Sequence, residues 1–419
     1  MQIIYHLSIY LYYFIVFLFS FFTAKGKLWI NGRKDFRKEI TKYNFRDAQW
    51  IWFHCSSLGE FNDGRTLIDA IKERYPHYKI ILTFFSPSGY ENKKNYPNAD
   101  LVLYLPLDTK SNSRFFIQTI NPCLAFFIRN DIWYNYLNEL NNRNIPAFLV
   151  SFTLNSKSKF LKFPLKQLYK KAFQNFQAIF VQDEQSKIIM DKVLLNNSTI
   201  NAGNLRADIV SGIAETYYKN SFIEKFIDGK FCIIAGSSHK KDKDVFIETY
   251  LRMKNKNIKW IIVPHEINSS EIVNVKKILH NYMILLSESD TINSPTLPDI
   301  LWVNEVGILS KIYRYADIVF IGGGFGKSGI HSILEPAVYG CPVCFGPNHR
   351  EYPEAIYLIN SGGAEIISDS NELEKFILKY SQNKNLLLEI NQKNKTYLNE
   401  NTGATINVLN YLQQYNFIK

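Results

Sequence analysis

The chain alternates short runs of β-branched and aromatic residues with longer amphipathic stretches, and it does so in two successive halves. Such runs, bounded by turn-forming residues, indicate buried strands, and the amphipathic stretches between them indicate helices. Repeated strand–helix–strand units predict an α/β fold with parallel sheets covered on both faces. The predicted strands are 49–54, 79–84, 101–104, 123–128, 147–150 and 178–181 in the first half, and 231–235, 260–264, 301–303, 318–321 and 342–345 in the second.

The two halves predict two Rossmann-like domains that face each other across a cleft. At roughly 150 residues per domain, 419 residues suffice for both. We expect an anchor helix over 1–24, an N-terminal domain over 25–215 and a C-terminal domain over 216–419, whose last helix can pack back on the N-terminal domain. Open parallel sheets bind ligands beyond the carboxyl ends of their strands, so the loops at those ends are candidate sites.

Residues 3–22 are uncharged and predominantly apolar. A helix of about 20 residues reaches across the roughly 30 Å hydrocarbon core of a bilayer. No Lys or Arg precedes the run and no small-residue cleavage site follows it, so we predict a retained anchor rather than a signal peptide. Because basic residues follow it, the rest of the chain is expected in the cytoplasm. The alternative is a helix that lies in one leaflet.

The formal net charge of +11 is concentrated in two segments. Residues 25–46 hold eight basic side chains against Asp35 and Glu39, and residues 156–171 hold six lysines and no acid. A lysine run can be a solvated face, but beside an anchor it also suits anionic lipid. Because the rest of the chain is nearly neutral and no nucleic-acid module is recognisable, we do not expect nucleic-acid binding.

The five cysteines do not form a disulfide framework, and a reducing cytosolic environment fits them. Cys341 and Cys344 have the spacing of a zinc motif, but no second pair completes a tetrahedral site, so core cysteines are the better interpretation.

The first candidate loop follows the predicted strand 49–54 and reads HCSSLGE at 54–60. Gly59 permits close backbone approach, and the carboxylate of Glu60 can take a proton from an incoming hydroxyl group. The helix after this loop is predicted to begin near Asn62. A glutamate close to a helix start is also a common cap or dipole partner, and this alternative stays open.

The second loop is glycine-rich, GGGFGKSG at 322–329, and follows the strand 318–321. Its backbone N–H groups can form an anion site, and a helix starting at His331 and Ser332 would favour phosphate. A nucleotide-hydrolase P-loop needs glycine five residues before Gly326, where this chain has Ile321. Glu335 can form a capping box with Ser332 or accept a bond from a ribose hydroxyl.

The third loop, GSSH at 236–239, precedes a helix predicted to start near Lys243. It suits a second phosphate or carboxylate contact, or an ordinary helix cap.

Eight segments follow one another in order along nearly the whole chain. They are WIWFHCSSLGE (50–60), SPSGYE (86–91), YLPLD (104–108), NDIWYN (130–135), GNLRAD (203–208), AGSSH (235–239), VPHEI (263–267) and GGGFGKSGIHSILEPAVYGCPVCFGPNH (322–349). Together they resemble the Kdo transferases of lipopolysaccharide assembly, where Kdo is 3-deoxy-D-manno-octulosonic acid. The resemblance implies a GT-B fold at the cytoplasmic face of the cell inner membrane. It also implies inverting transfer of Kdo from CMP-Kdo to a phosphorylated lipid A precursor (lipid IVA), without metal or cofactor.

Carried over by motif, the resemblance makes Glu60 the catalytic base and divides the other site residues between donor and acceptor. Two positions depart from the family pattern: Arg129, where many members have an acid, and Ser332, where asparagine is usual. The donor set is Arg206, Ser237, Ser238, His265, Gly322, Gly323, Gly324, Gly329, His331, Ser332 and Glu335, and the acceptor set is Ser57, Gly59, Ser88, Asp131 and Lys162.

Two other functions share this fold: a GT-B glycosyltransferase that uses a UDP-sugar, and an inactive membrane scaffold. The scaffold is disfavoured because Glu60, Arg206 and Glu335 are present together. The expected partners are therefore CMP-Kdo, the phosphorylated lipid A precursor and inner-membrane lipid.

Overall fold

The structure is a computed structural model that describes residues 2–155, 158–162, 166–194, 199–254, 256–291, 297–327, 329–349 and 352–419. Lys157 of the second lysine cluster and Ser328 of the glycine-rich loop lie outside the described residues. The chain forms two compact units: unit 1 comprises 1–208 and 401–419, and unit 2 comprises 209–400. The sequence predicts the first boundary a few residues later, at 215.

Unit 1 is built on a seven-stranded parallel sheet in the order β3-β2-β1-β4-β5-β6-β7. Alternate residues of β1, such as Trp52 and Phe53, enter separate apolar clusters on the two faces of the sheet. Burial of both faces explains why the strands read as nearly continuous apolar runs. The strands are β1 (Trp50–Cys55), β2 (Lys79–Phe84), β3 (Leu101–Tyr104), β4 (Leu124–Ile128), β5 (Ala147–Phe152), β6 (Ala178–Val181) and β7 (Thr199–Asn201).

Helices lie before, between and after these strands, and the last of them crosses from unit 1 into unit 2 at residue 208. α1 is long and apolar enough to cross a membrane, by length and composition, and none of its residues is buried in the unit. The helices are α1 (Gln2–Ser20), α2 (Ala24–Asn31), α3 (Phe36–Ile40), α4 (Leu58–Arg74), α5 (Pro87–Lys93), α6 (Lys110–Ile120), α7 (Tyr134–Asn142), α8 (Lys166–Phe173), α9 (Glu184–Leu194) and α10 (Leu205–Glu215).

Unit 2 repeats the plan with a second seven-stranded parallel sheet, in the order β10-β11-β9-β8-β12-β13-β14. Its strands are β8 (Phe231–Ser238), β9 (Ile258–Pro264), β10 (Met283–Leu285), β11 (Ile300–Trp302), β12 (Ile318–Ile321), β13 (Val343–Phe345) and β14 (Ala364–Ile366). Its helices are α11 (Ser221–Ile227), α12 (Lys240–Met253), α13 (Ser269–Leu279), α14 (Leu309–Ile312), α15 (Leu334–Ala337), α16 (Pro353–Ser361), α17 (Ser370–Ser381) and α18 (Lys384–Asn401).

The last helix, α19 (Ala404–Gln414), belongs to unit 1. The carboxylate of Asp208 accepts hydrogen bonds from the backbone N–H groups of Gly403, Ala404 and Thr405, at 2.6 to 3.2 Å. A negative charge at a helix start satisfies the first N–H groups and the helix dipole. Asp208 of the GNLRAD segment therefore holds the returning helix in place.

Every predicted strand is present, so the prediction of two parallel-sheet halves is confirmed. Three edge strands, β7, β10 and β14, were not predicted, because three residues carry too little pattern. Two predicted helix starts are wrong: α4 begins at Leu58 rather than near Asn62, and α12 begins at Lys240 rather than near Lys243. In both cases the polar residue before the helix, Ser57 or His239, is its N-cap.

Candidate functional site

The first group of site residues lies at the carboxyl end of β1. Glu60 is in the first turn of α4, and Ser57 caps that helix by accepting a hydrogen bond from the N–H of Gly59 at 3.2 Å. The Ser57 hydroxyl in turn donates to Oε2 of Glu60. Glu60 is half-buried, so it takes part in capping while part of its side chain stays exposed. The hydrogen bond from Ser57 therefore leaves the carboxylate of Glu60 accessible enough to act as a base.

Gly59 is not required by steric crowding. A Cβ atom added there would meet only the Ser57 hydroxyl oxygen, at 3.5 Å, which is ordinary contact. The expected close backbone approach at this glycine is therefore not seen within the protein.

Asp131 joins the same group from the loop after β4. Its carboxylate accepts hydrogen bonds from the backbone N–H of Ser56 at 2.8 Å and from the Ser56 hydroxyl at 2.5 Å. Burial, together with the nearby charge of Glu60, raises the pKa of Asp131 to about 7. Asp131 therefore fixes the turn that leads into α4.

His54 lies beneath this turn, fully buried at the end of β1. Its Nε2 atom is 3.8 Å from Oδ2 of Asp131, and its Nδ1 atom is 2.8 Å from the hydroxyl oxygen of Thr83. Burial lowers the pKa of His54 to about 3, so the imidazole is neutral at physiological pH and the contact with Asp131 is not an ion pair.

One turn further along α4, the fully buried Asp63 holds two arginines. Nε of Arg129 lies 2.9 Å from Oδ2 of Asp63, and Nε of Arg206 donates to Oδ1. Arg129 follows β4 and Arg206 begins α10, and both side chains remain about one-third exposed, at 33% and 28%. Two partly exposed cations are thus bound by the carboxylate that lies one helical turn after Glu60. The sequence placed Arg206 with the donor residues, whereas the structure places it in unit 1.

Ser88 contacts this region indirectly, and Lys162 does not contact it. The backbone N–H of Ser86 donates to the carbonyl of Ser56 at 2.7 Å, and the hydroxyls of Ser86 and Ser88 are 3.0 Å apart. Lys162 is exposed after the short turn Lys159–Leu161, and none of the contacts that the structure describes joins it to Glu60 or Asp131.

The position of the group follows from the topology. β2 and β3 lie on one side of β1, and β4 to β7 lie on the other. The strand order therefore reverses between β1 and β4, and the loops after these strands diverge and leave a crevice. Glu60 and Asp131 come from those two loops.

A second group occupies the equivalent position in unit 2, where the strand order reverses between β8 and β12. His239 follows β8, His265 follows β9, and His331 lies in the loop after β12. The Nε2 atoms of His239 and His331 are 3.0 Å apart, and the ring of His265 lies 4.5 Å from each of the other two rings. Burial and the two neighbouring histidines lower the pKa of His331 to about 4.

These three ring nitrogens lie within 4.8 Å of one another, a spacing that could hold a metal ion. Imidazole nitrogens suit zinc, copper and nickel. The short Nε2 to Nε2 distance fits a hydrogen bond between His239 and His331, with one ring as donor and the other as acceptor.

The remaining predicted donor residues surround the histidines. Ser238 is buried, its hydroxyl donates to the carbonyl of Val263 at 3.2 Å, and its own carbonyl accepts from the N–H of His265 at 3.0 Å. Ser237 has a left-handed backbone, with φ of 50°. Ser332 and Glu335 are half-buried in the segment that follows His331.

The glycines of the loop after β12 are required by crowding between strand ends. A Cβ atom on Gly322 would lie 2.4 Å from the Ser237 carbonyl oxygen, and one on Gly323, whose φ is +96°, would lie 2.2 Å from the Gly329 carbonyl oxygen. Gly324 is similarly close to Gly346. No larger residue fits at these positions without movement of the backbone.

The prediction of an open anion site formed by this loop is wrong in part. The N–H of Gly322 donates to the carbonyl of Gly236 at 2.9 Å, and that of Gly323 donates to the buried carboxylate of Asp242 at 2.8 Å. Both N–H groups are therefore used within the fold. Asp242 also accepts from the N–H of His239 at 2.8 Å, which completes a capping box on α12.

The helix expected at His331 and Ser332 also differs. α15 starts at Leu334 and has four residues, and its N-cap is Ile333, so the capping box between Ser332 and Glu335 is absent.

The family model for 3-deoxy-D-manno-octulosonic-acid transferase (kdotransferase) matches residues 32–209 of the chain, which include Glu60, Asp131 and Arg206. The chain is thus similar to the Kdo transferase family over this segment, and curated Kdo transferases match it as well. It is therefore an enzyme, a glycosyltransferase, and the resemblance inferred from the sequence motifs is confirmed.

Curated relatives extend the match across both units. The chain is 25% identical over 374 residues to the 3-deoxy-D-manno-octulosonic acid transferase of Haemophilus influenzae, covering 88% of this chain and 87% of that protein. It is 29% identical over 342 residues to a bifunctional glycosyltransferase/methyltransferase of Fusobacterium nucleatum, covering 78% of this chain. The chain spans about half the length of this second relative, 51%.

Solved structures support the fold. The UDP-GlcNAc 2-epimerase of Neisseria meningitidis, solved with UDP-GlcNAc bound, superposes with a TM-score of 0.61, covering 87% of this chain and 100% of that one. At 13% identity this likeness concerns the fold alone. The GT-B architecture predicted from the sequence is confirmed.

Several residues of the two groups were not predicted. His54 and Asp63 are buried polar side chains inside a predicted strand and a predicted helix, where the sequence pattern alone does not separate them from surface residues, and Asp242 lies just before a predicted helix start. His239 and Asp242 have the spacing of a capping box, which is the signal that could have indicated them.

Proposed function

We propose that the protein transfers Kdo from CMP-Kdo to a phosphorylated lipid A precursor in lipopolysaccharide biosynthesis, with inversion at the anomeric carbon. The observation that carries this proposal is the group at the ends of β1 and β4. A half-buried carboxylate, Glu60, lies there one helical turn before Asp63, which binds the cations Arg129 and Arg206. The match to the Kdo transferase family covers this same group.

In this mechanism Glu60 is the general base. The acceptor hydroxyl gives its proton to Glu60 while its oxygen forms a bond to the anomeric carbon of Kdo. The bond from that carbon to the phosphate oxygen breaks, and CMP leaves with the electron pair. Attack and departure on opposite faces invert the anomeric centre.

The charges near Glu60 suit this step. Kdo carries a carboxylate and the departing CMP gains negative charge, so the reaction needs cations that are fixed in advance. Asp63 orients Arg129 and Arg206 from below, and both guanidinium groups remain partly exposed. We propose that they stabilise the transferring anion in place of a metal ion.

The donor nucleotide is proposed to bind unit 2 near the histidine group. His265 is exposed, whereas His239 and His331 are half-buried, so a ligand can reach the group from the side of His265. Ring nitrogens can donate to phosphate or carboxylate oxygens, and Glu335 can accept from a ribose hydroxyl. In this proposal Ser237, Ser238 and the glycines shape the pocket, since two of the glycine N–H groups are used within the fold.

The proposed localisation follows from the lipid nature of the acceptor. We propose the cytoplasmic face of the inner membrane, because an amphiphilic acceptor lies there within reach of an apolar helix and a basic segment. α1 and the cationic residues of 25–46 supply these two features.

Incubation of the purified protein with CMP-Kdo and a tetra-acylated lipid A precursor, followed by mass spectrometry of the glycolipid, tests the proposal. We expect one or more increments of the mass of a Kdo residue, together with release of CMP. The same incubation with UDP-sugars should give no product. A product from a UDP-sugar, or no product from CMP-Kdo with a protein that binds CMP, would overturn the assignment.

A further inference from the structure

α1 does not extend away from unit 1 but lies against it. At its first turn, Nε2 of Gln2 donates to the Tyr134 hydroxyl at 2.5 Å, and the Tyr5 hydroxyl donates to Oδ2 of Asp108 at 2.5 Å. Asp108 is fully buried and also accepts from the backbone N–H groups of Asn135 and Tyr136. The start of α1 is thus fastened to the same carboxylate that holds the first turn of α7.

The middle of α1 also contacts unit 1. The ring of Tyr12 lies 5.9 Å from the rings of both Trp29 and Phe85, and the ring of Tyr13 lies 6.3 Å from Trp29. Trp29 is in α2, and Phe85 follows β2. Lateral contact therefore continues for about two turns beyond Tyr5.

α2 turns back toward unit 1 and is itself fixed there. Arg33, just after α2, is buried and donates to the carbonyls of Leu105 at 2.8 Å and Phe85 at 2.5 Å. Its guanidinium carbon lies 4.0 Å from the centre of the Trp29 ring. Arg33 therefore has a structural role, although it belongs to the basic segment 25–46. Its contacts hold the end of α2 against the rest of unit 1.

Most side chains of α1 are exposed, and most of these are apolar. Five of them recur every three or four residues, which places them in one stripe on the side away from Tyr5. They are Ile4, Leu7, Leu11, Phe14 and Leu18, with exposed fractions between 45% and 63%. The exposed apolar surface is wider than this stripe and also includes Ile3, Tyr10 and Phe19, at 74%, 59% and 59%.

We infer that α1 lies within one leaflet, along the membrane plane, with its outward apolar face in the hydrocarbon and its Gln2 end on the same side of the membrane as unit 1. A spanning orientation would separate α1 from unit 1, break the contact between Tyr5 and Asp108, and carry Gln2 and His6 toward the far side. The length of α1, about 28 Å at 1.5 Å per residue, allows either orientation, so the lateral contacts decide between them.

Exposed lysines lie beside the apolar face of α1 and form a membrane-binding surface with it. Lys25, Lys27 and Lys34 are exposed in the segment that follows α1. Cations beside an apolar face are typical of helices that bind the interface of an anionic leaflet. The occupant of this surface is therefore the lipid of that leaflet.

The same contacts connect α1 with the group of site residues at the carboxyl end of β1. Phe85, which touches Tyr12, also lies 4.8 Å from the ring of Trp133, and Trp133 lies 5.4 Å from the ring of His54. His54 borders Asp131. This series of contacts links α1 to the turn before Glu60, which suits an acceptor whose acyl chains remain in the leaflet. The orientation of α1 itself rests on the contacts within unit 1 and does not depend on the transfer activity.

Depth measurements on spin-labelled protein test the inference. Ile4→Cys, Leu11→Cys and Leu18→Cys, made singly with Cys123→Ser, place nitroxides seven residues apart on the outward face, and the other four cysteines are buried. In liposomes with anionic lipid, power saturation against oxygen and a nickel chelate gives the depth of each label. We expect equal depths within about 4 Å. A label at Leu11 that is about 10 Å deeper than the other two, as seven residues of a spanning helix require, would overturn the inference.

A second measurement does not rely on labels in the helix. A protease site placed before Gln2 should be cut in inside-out membrane vesicles and resist cutting in intact spheroplasts. Cutting only in spheroplasts would place the Gln2 end on the far side and contradict the orientation along the leaflet.

Discussion

The carboxyl group of Asp131 is buried against the turn that carries Glu60, and its pKa is raised from 3.8 to about 7, chiefly by burial. The folded protein therefore keeps a proton on Asp131 at pH values where the unfolded chain has lost it. On account of this residue, stability is greatest below about pH 4 and falls as the pH rises toward 7.

Asp131→Asn should remove this dependence. A rise in pKa from 3.8 to about 7 corresponds to at most about 4 kcal/mol. The free energy of unfolding of the variant, relative to wild type, should therefore increase by a few kcal/mol between pH 4.5 and 7.5. Urea denaturation across this range measures the difference, and a difference independent of pH would show that Asp131 has an ordinary pKa.

Glu335→Ala should weaken the binding of CMP about tenfold, since loss of one hydrogen bond to a ribose hydroxyl costs about 1.4 kcal/mol. Glu374→Ala, in α17 of the same unit, is the matched control and should leave the affinity unchanged. Calorimetric titration with CMP gives both constants. If the wild type and both variants bind CMP with equal affinity, Glu335 does not contact the donor nucleotide.

At the scale of elements, α1 is held at its start by the hydroxyl of Tyr5. Tyr5→Phe removes a hydrogen bond to a buried carboxylate and should lower the free energy of unfolding by about 1.5–3 kcal/mol. Ser8→Ala, which removes an exposed hydroxyl bonded to a carbonyl of its own helix, should cost under about 0.5 kcal/mol. Thermal unfolding in detergent compares the two. Equal effects would mean that α1 is not docked through Tyr5.

The sequence predicted the strands more accurately than the conformation of the loops and helix starts that follow them. Continuous apolar runs identify buried strands such as β1 and β8 because burial on both faces leaves a direct pattern. The role of Gly322 could not be predicted, because its crowding comes from Ser237, on a strand distant in sequence. The start of α4 was missed for a related reason: Ser57 caps the helix, but the apolar pattern becomes clear only after Glu60.

At the scale of the whole molecule, the candidate base and the proposed donor group lie in different units. Strand order reverses once in each sheet, and one group of candidate site residues occupies each reversal. The sequence predicted both positions from the loops after the strands. It grouped Arg206 with the donor residues and could not show its pairing with Asp63, because that pairing is a tertiary contact between α10 and α4.

Charge on unit 1 should matter for an anionic lipid acceptor. Lys162, Lys166 and Lys171 are exposed, and their joint replacement by Glu should slow transfer to acceptor in liposomes about tenfold at low salt. The effect should shrink at high salt, since surface charges are screened over about 8–10 Å at physiological ionic strength. The matched control replaces three exposed lysines of unit 2, Lys256, Lys375 and Lys384, and should change the rate little. Equal loss in both triple variants would show a general charge effect.

The central claim is that Glu60 is the base of Kdo transfer, and the rate of glycolipid formation by Glu60→Gln tests it most directly. The rate should fall by about 10²- to 10⁴-fold, while the affinity for CMP stays within about threefold, because the base and the proposed donor group lie in different units. Glu73→Gln, an exposed change on the same helix, should keep the wild-type rate. If Glu60→Gln retains more than about a tenth of the wild-type rate, Glu60 is a helix cap and the base lies elsewhere.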